Sequence, residues 1–204
     1  MEQRFAPVIE NAAAKGRVVL VCEHASNAFP APWGDLGLTP EQRNAHIAWD
    51  PGALGLARGL SQRLDAVLIH AGVSRLVYDC NRGPDMAGAM PARSEIHDIP
   101  GNAVISAAER LERTQSVYLP FHNAVHGVIA ERIALGLQPV IVTIHSFTPV
   151  YFGQSRSVEF GVIHDADPSY AKAILAAAQA TTNLRAELNA PYSAADDVTH
   201  SLRV

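Results

Sequence analysis

Arg17-Val-Val-Leu-Val-Cys22, running into Glu23-His24-Ala25-Ser26-Asn27, decides the reading of the fold: a short apolar run closed by a polar cluster. An apolar run of this length, rich in β-branched residues, reads as a strand buried on both faces. The pattern recurs twice. Ser74-Arg-Leu-Val-Tyr78 leads into Asp79-Cys80-Asn81-Arg82, and Pro139-Val-Ile-Val-Thr-Ile144 leads into His145-Ser146-Phe147. In open α/β sheets ligands bind beyond the carboxyl ends of strands, so three polar strand ends predict one pocket assembled from distant parts of the chain. Two clusters offer an imidazole and one a guanidinium, which points to a divalent metal beside a carboxylate-binding arginine.

Outward from these runs, residues 1–16 read as a lead-in segment, and strands are expected at Ala66 to His70, Glu159 to Ile163 and Leu184 to Leu188. Thr39-Pro40-Glu41-Gln42 carries a cap residue and an N-terminal proline, predicting a helix to near Asp50. Ala53, Leu56, Ala57, Leu60 and Leu64 recur at helical spacing over Gly52 to Leu64. Ser106 to Gly136 reads as helix in two pieces, because Pro120 removes a donor in mid-pattern, and Pro168 to Ala180 reads as a further helix. The breaker-rich stretches Asn27 to Pro40 and Pro84 to Asn102 are expected to be ordered loops, the first folded over the pocket mouth. The order β-α-β-β-α-β-β-α-β predicts an α/β fold, a three-layer α/β/α sandwich. Its central sheet should be mostly parallel but mixed, since some strands follow one another directly.

A length of 204 residues suits a single domain over 1–204. With 48% hydrophobic and 18% charged residues and a net charge of -4, the chain offers no basic surface for nucleic acid. Met1-Glu2-Gln3-Arg4 leads into no long apolar stretch and nothing approaches a membrane span, so neither export nor insertion is expected and the expected location is the cytoplasm. Cys22 and Cys80 sit inside apolar runs, where a buried thiol is expected rather than a disulfide or a ligand.

His24 would project from a strand end with room for a ligand, or cap the next turn. His145 repeats that arrangement on a distant strand, and two such histidines supply half of a catalytic zinc site. Asp50, in His46-Ile-Ala-Trp49-Asp50-Pro51, is either the third ligand or the cap of a helix beginning at Pro51. His122 and His126 share a helix face at i, i+4, but no glutamate follows His122 and a structurally satisfied pair is expected. Arg75, and Asn81 with Arg82, offer the fork and the amide that a carboxylate needs; structural arginines are the alternative. Phosphate loops, a G-x-S-x-G elbow and CxxC pairs are missing from the sequence.

Glu23-His-Ala-Ser-Asn27, His46-Ile-Ala-Trp-Asp50, Ser74-Arg-Leu-Val-Tyr-Asp-Cys-Asn-Arg82, Thr143-Ile-His-Ser-Phe147, Gly161-Val-Ile-His-Asp165 and Asn189-Ala-Pro-Tyr-Ser193 together resemble the N-formylglutamate amidohydrolase family, in order along nearly the whole chain. The resemblance implies a phosphorylase/hydrolase-like, zinc exopeptidase-like fold, one zinc ion on His24, Asp50 and His145, and Arg75, Asn81, Arg82 and Tyr192 as substrate-binding residues. Glu23 or Asn27 could take the coordination position given to Asp50. It implies a small-molecule substrate, an N-acyl acidic amino acid such as N-formyl-L-glutamate, cleaved to formate and glutamate in amino-acid metabolism, here histidine degradation. The family generally continues into a C-terminal strand with a Glu-Ile-Arg type motif whose glutamate would be the general base. The sequence ends at Val204, so that strand and base are expected beyond it, and the open sheet edge would allow a homo-oligomer. The competing expectations are a binding protein with little turnover and a zinc peptidase acting on short acidic peptides.

Overall fold

The run Arg17 to Cys22 forms a strand, Val18–Cys22, whose last four residues are all buried, the signature of a central parallel strand. In the computed structural model, which describes residues 5–204, two units are distinguished, Met1–Ser146 and Phe147–Val204. The first unit opens with β1 (Val8–Glu10) and continues with β2 (Val18–Cys22), α1 (Pro40–Asn44), α2 (Ala53–Leu64) and β3 (Val67–His70). The short elements β4 (Arg93–Ser94), β5 (His97–Asp98) and α3 (Pro100–Ala103) follow, then α4 (Ala107–Arg113), α5 (Leu119–Ala134) and β6 (Val140–Thr143).

Its sheet has the order β1-β3-β2-β6. β2 runs parallel to β3 and to β6, while β1 is antiparallel to β3, so the sheet is mixed and mostly parallel. The period of two along β2 and β3 divides the core. Val19, Val21, Val67 and Ile69 join Phe121, Val125 and Val128 of α5 in one cluster, whereas Leu20, Cys22 and Leu68 join Ala53 and Ala57 of α2 in another. Helices thus cover both faces of this sheet, which explains why β2 and β3 are apolar throughout.

Three sequence expectations change. Ser74 to Tyr78 is a buried turn and not a strand: the Ser74 hydroxyl donates to the Ala48 carbonyl at 2.7 Å and accepts the Leu76 amide, while the Ser74 carbonyl accepts the Val77 amide. Leu76, Val77 and Tyr78 are buried all the same, and an apolar run does not tell a buried turn from a strand. The lead-in segment supplies β1. The helix expected to reach Asp50 ends at Asn44, whose side chain turns back to the Pro40 carbonyl at 2.7 Å. Pro120 does mark a change of helix, but the break is a π-helical stretch, Thr114–Tyr118, immediately ahead of it, where widening of the turn accommodates a residue that cannot donate.

The second unit contains a hairpin of β7 (Val150–Tyr151) and β8 (Gln154–Ser155), then β9 (Phe160–Val162), α6 (Ser169–Thr181), β10 (Ala186–Leu188) and α7 (His200–Arg203). β9 and β10 are a parallel two-stranded sheet joined through α6, a β-α-β unit, instead of further strands of the four-stranded sheet. No helix among the described residues is long and apolar enough to cross a membrane.

Edge strand β1 is fastened through Glu10, which accepts from Arg58 of α2 at 2.7 Å and from His70 of β3 at 3.0 Å. The Arg58 hydrogen bond, helped by His70, holds the Glu10 carboxyl below its ordinary range against the opposing effect of burial. Glu10→Gln should cost about 0.5–1 kcal/mol in urea denaturation at neutral pH. A carboxyl depressed in the folded state stabilises above its unfolded pKa and loses that contribution as pH falls through the folded one, so the difference between the two proteins should shrink below about pH 4. A penalty unchanged at pH 3 would show that charge is not what fastens β1.

Candidate metal centre

Parallel pairing of β2 with β6 sets Val21 opposite Thr143, and the Ile144 amide donates to the Val21 carbonyl at 2.8 Å. Two residues further along each strand, the same register brings Glu23 and His145 to the same level beyond the carboxyl end of the sheet, with His24 next in line. The third segment is tied in by the Asp50 amide, which donates to the His24 carbonyl at 2.9 Å. α2 begins at Ala53 with Gly52 as its N-cap in the left-handed region and no side-chain cap, so the Asp50 carboxylate does not cap that helix. It faces the histidines instead.

Asp50 Oδ2 lies 3.0 Å from His145 Nδ1 and 3.5 Å from His24 Nδ1, and it accepts the Ser146 amide at 3.2 Å. One ligand atom from each of His24, Asp50 and His145 falls within 4.8 Å of the others. Behind this group each imidazole has its Nε2 directed at a second carboxyl. His24 Nε2 donates to Asp79 Oδ1 at 2.7 Å, and His145 Nε2 is 3.5 Å from Glu23 Oε2. Asp79 is anchored in turn by the Asn81 amide at 2.9 Å and by Arg75 Nη2 at 2.9 Å, while Arg75 Nη1 stands 3.6 Å from Asp50 Oδ1. His24, Glu23, Asp50 and Asp79 are buried, whereas the His145 side chain is 30% exposed and marks the accessible side.

Electrostatics follow from this crowding. Burial and the Arg75 charge both disfavour an imidazolium at His24, but Asp79 and Asp50 outweigh them and raise its pKa to about 9. Burial pushes the Asp50 carboxyl up, and His24 and His145 more than reverse it, holding the group well below its usual range. Asp79 is depressed in the same way, by His24 and Arg75 against burial. Despite these contacts His24 Nδ1, His145 Nε2 and both Glu23 oxygens are buried without a hydrogen-bond partner. At His24 the bare Nδ1 beside Asp50 and the Nε2 backed by Asp79 form the arrangement in which histidine ligates metal, whereas at His145 Nδ1 meets Asp50 and Nε2, facing Glu23, is the bare nitrogen. Two nitrogens and one carboxylate oxygen with an accessible side suit zinc. The residues fit the ion.

The remaining sequence candidates divide between this cluster and other places. Arg75 bridges Asp50 and Asp79 with its side chain 30% exposed, and Asn81 is buried, its backbone N–H donating to Asp79. Arg82 is half-buried and donates through Nη1 to the Asn81 carbonyl at 2.8 Å. Tyr192 lies in the second unit, where its hydroxyl accepts from Arg156. His122 is buried and donates to the Cys80 carbonyl at 2.9 Å, with the His126 ring 6.3 Å away, in line with the structural pair expected. The sequence reading gave no role to Asp79, and for Glu23 it offered only an alternative to Asp50. A carboxylate adjoining a histidine at a buried strand end was the available signal for Glu23. For Asp79 the signal was its place at the head of the polar cluster after Tyr78, although a turn and not a strand delivers it.

The family model for N-formylglutamate amidohydrolase matches residues 16–203. The chain is similar to a gene product, Atu2144, of Agrobacterium tumefaciens known from its crystal structure, with 53% identity and a TM-score of 0.95 over 98% of this chain and 79% of that one. It is also similar to the crystal structure of N-formylglutamate amidohydrolase from Ralstonia eutropha JMP134, with 18% identity and a TM-score of 0.61 over 92% of this chain and 77% of that one, a likeness of fold alone. No curated protein matches.

Removing Asp79 leaves buried His24 Nε2 without its carboxylate and takes from Arg75 the nearer of its two aspartates. Asp79→Ala should therefore destabilise the metal-free protein by about 3–5 kcal/mol, the usual cost of breaking a buried pair from one side. A loss under about 1 kcal/mol in urea denaturation would show that these groups find other partners.

Proposed function

The chain belongs to the N-formylglutamate amidohydrolase family, and we propose that it is a zinc-dependent hydrolase of a zinc exopeptidase-like α/β/α type that cleaves the amide of an N-acyl acidic amino acid, in the simplest case N-formyl-L-glutamate to formate and glutamate. One observation carries the reading: two imidazole Nδ1 atoms and a carboxylate converge at the carboxyl end of the sheet, each imidazole backed by a second carboxyl group.

His24, Asp50 and His145 would hold the ion, which when bound supplies Lewis acidity toward the scissile carbonyl. The protein's own groups prepare it. Asp79 keeps the His24 proton on Nε2 and so leaves Nδ1 for ligation. Arg75 offsets part of the charge of Asp50 and Asp79 before an ion arrives. Glu23, with no accessible oxygen, acts by orienting His145 and not on the substrate. Arg82, next to Asn81 in the segment that anchors Asp79, reads a substrate carboxylate through its planar fork. Two buried free thiols, Cys22 and Cys80, fit a reducing compartment, and we assign the protein to the cytoplasm.

Elemental analysis after zinc loading should give one zinc per chain in the wild type and none in His24→Ala or His145→Ala, with formate released from N-formyl-L-glutamate only by the loaded wild type. Full zinc in both variants would remove the metal centre. Stoichiometric zinc without formate release from any N-acyl acidic amino acid would leave a binding protein in place of an enzyme.

Lys keeps the charge of Arg82 and loses the fork, so Arg82→Lys should weaken binding of N-acetyl-L-glutamate at least tenfold more than binding of an uncharged N-acyl amide. Equal weakening of both would make Arg82 a structural residue.

A further inference from the structure

The second unit holds three arginines. Arg185 and Arg203 are each paired with an acid, Glu159 and Asp165. Arg156 is half-buried and has no acidic partner among the described residues. Aromatic rings surround it: the guanidinium carbon lies 4.4 Å from the Tyr151 ring centroid, 4.9 Å from that of Tyr192 and 5.6 Å from that of Phe147. Nη2 donates to the Tyr192 hydroxyl at 2.7 Å and Nη1 to the Thr148 carbonyl at 3.3 Å. Two of the five N–H groups of a guanidinium are thereby used, and the Nε–H is among those left over.

Ring faces stabilise a cation and fix its plane, yet they accept no directed hydrogen bond comparable to a carboxylate's. The hairpin that presents Tyr151 is itself strained, with Phe152 at φ 47° and 60% exposed, ahead of Gly153 at φ 77°. A bulky residue in the left-handed region is costly and persists where its surroundings demand it. Strand alternation then sends Tyr151 to the guanidinium while Phe152 remains outside.

We infer that Arg156, framed by Phe147, Tyr151 and Tyr192, is an oxyanion site of the second unit, and that its ligand is a small carboxylate. The planar fork held by rings is pre-organised for two parallel N–H···O bonds, and the missing acid is supplied by the ligand. Tyr192, implied by resemblance as a substrate-binding residue, takes part by orienting the guanidinium. The identity of the natural ligand, an acidic N-acyl amino acid, rests on the amidohydrolase reading; the site itself rests on the geometry of this unit.

The test uses glutarate as probe and glutaramide as its uncharged counterpart, on the full 204-residue chain kept metal-free with a chelator and labelled with 3-fluorotyrosine. Glutarate should shift the Tyr192 fluorine resonance saturably, and glutaramide should not. Arg156→Gln should weaken the glutarate titration at least tenfold, with Arg156→Lys in between because it retains charge without the fork. The inference is overturned if glutarate leaves Tyr192 unmoved in the wild type, or if a folded Arg156→Gln or Arg156→Lys variant titrates as the wild type does. Zinc content separates the two readings. A wild-type chain that takes up no zinc but shows the Tyr192 titration would lose its hydrolase assignment and keep this site, and one that takes up zinc without the titration would do the reverse.

Discussion

The Asp50 carboxylate is the point at which three distant segments of the first unit meet. Its Oδ2 faces both imidazoles and accepts the Ser146 amide, while the backbone amide of the same residue is bound to the His24 carbonyl. Such an arrangement concentrates negative charge in a buried place, since Asp79 and Glu23 stand behind it with Arg75 as the neighbouring arginine. Buried charges persist only when they are compensated. Without an ion the compensation comes from Arg75 and from His24, whose pKa is raised because it lies between two aspartates. A divalent cation would replace that proton with two charges. The constraint therefore links fold and site, because the strand ends that close the sheet also gather the imidazoles and carboxylates into one buried cluster.

Most of the framework was readable from the chain. β2, β3 and β6 follow from apolar runs of strand length, α2 from helical spacing and α6 from an alanine-rich stretch, whereas the separation of β9 and β10 into their own sheet does not. The histidines that converge on Asp50 were legible for the same reason, because a polar residue directly after a buried parallel strand has little choice of direction. His24 and His145 both come from that rule. Asp50 was harder, and only the capping of α2 by Gly52 frees its side chain from the alternative role.

What was not legible came from turns. Ser74 uses its hydroxyl to close a turn where composition suggests a strand, and that turn carries Asp79 to His24 and Arg75 to Asp79. Arg75, for which sequence leaves a substrate contact and a structural role both open, is thereby a partner of both aspartates. β1 escaped notice because three residues at a sheet edge leave no periodic signal, and its attachment depends on Glu10 reaching Arg58 and His70. The aromatic frame around Arg156 is similarly tertiary: Phe147, Tyr151 and Tyr192 are separated in sequence and converge only through the hairpin and the segment after β10.

In the proposed hydrolase the Nδ1 atoms of His24 and His145 and the carboxylate of Asp50 would hold a single divalent ion. Anomalous diffraction at the zinc edge from a zinc-soaked crystal tests it directly. The account predicts one strong peak about 2.0–2.2 Å from both Nδ1 atoms and an Asp50 oxygen, with Asp79 and Glu23 hydrogen-bonded to the opposite ring nitrogens. A peak bound through His145 Nε2 and Glu23, or no peak among these residues, would contradict it.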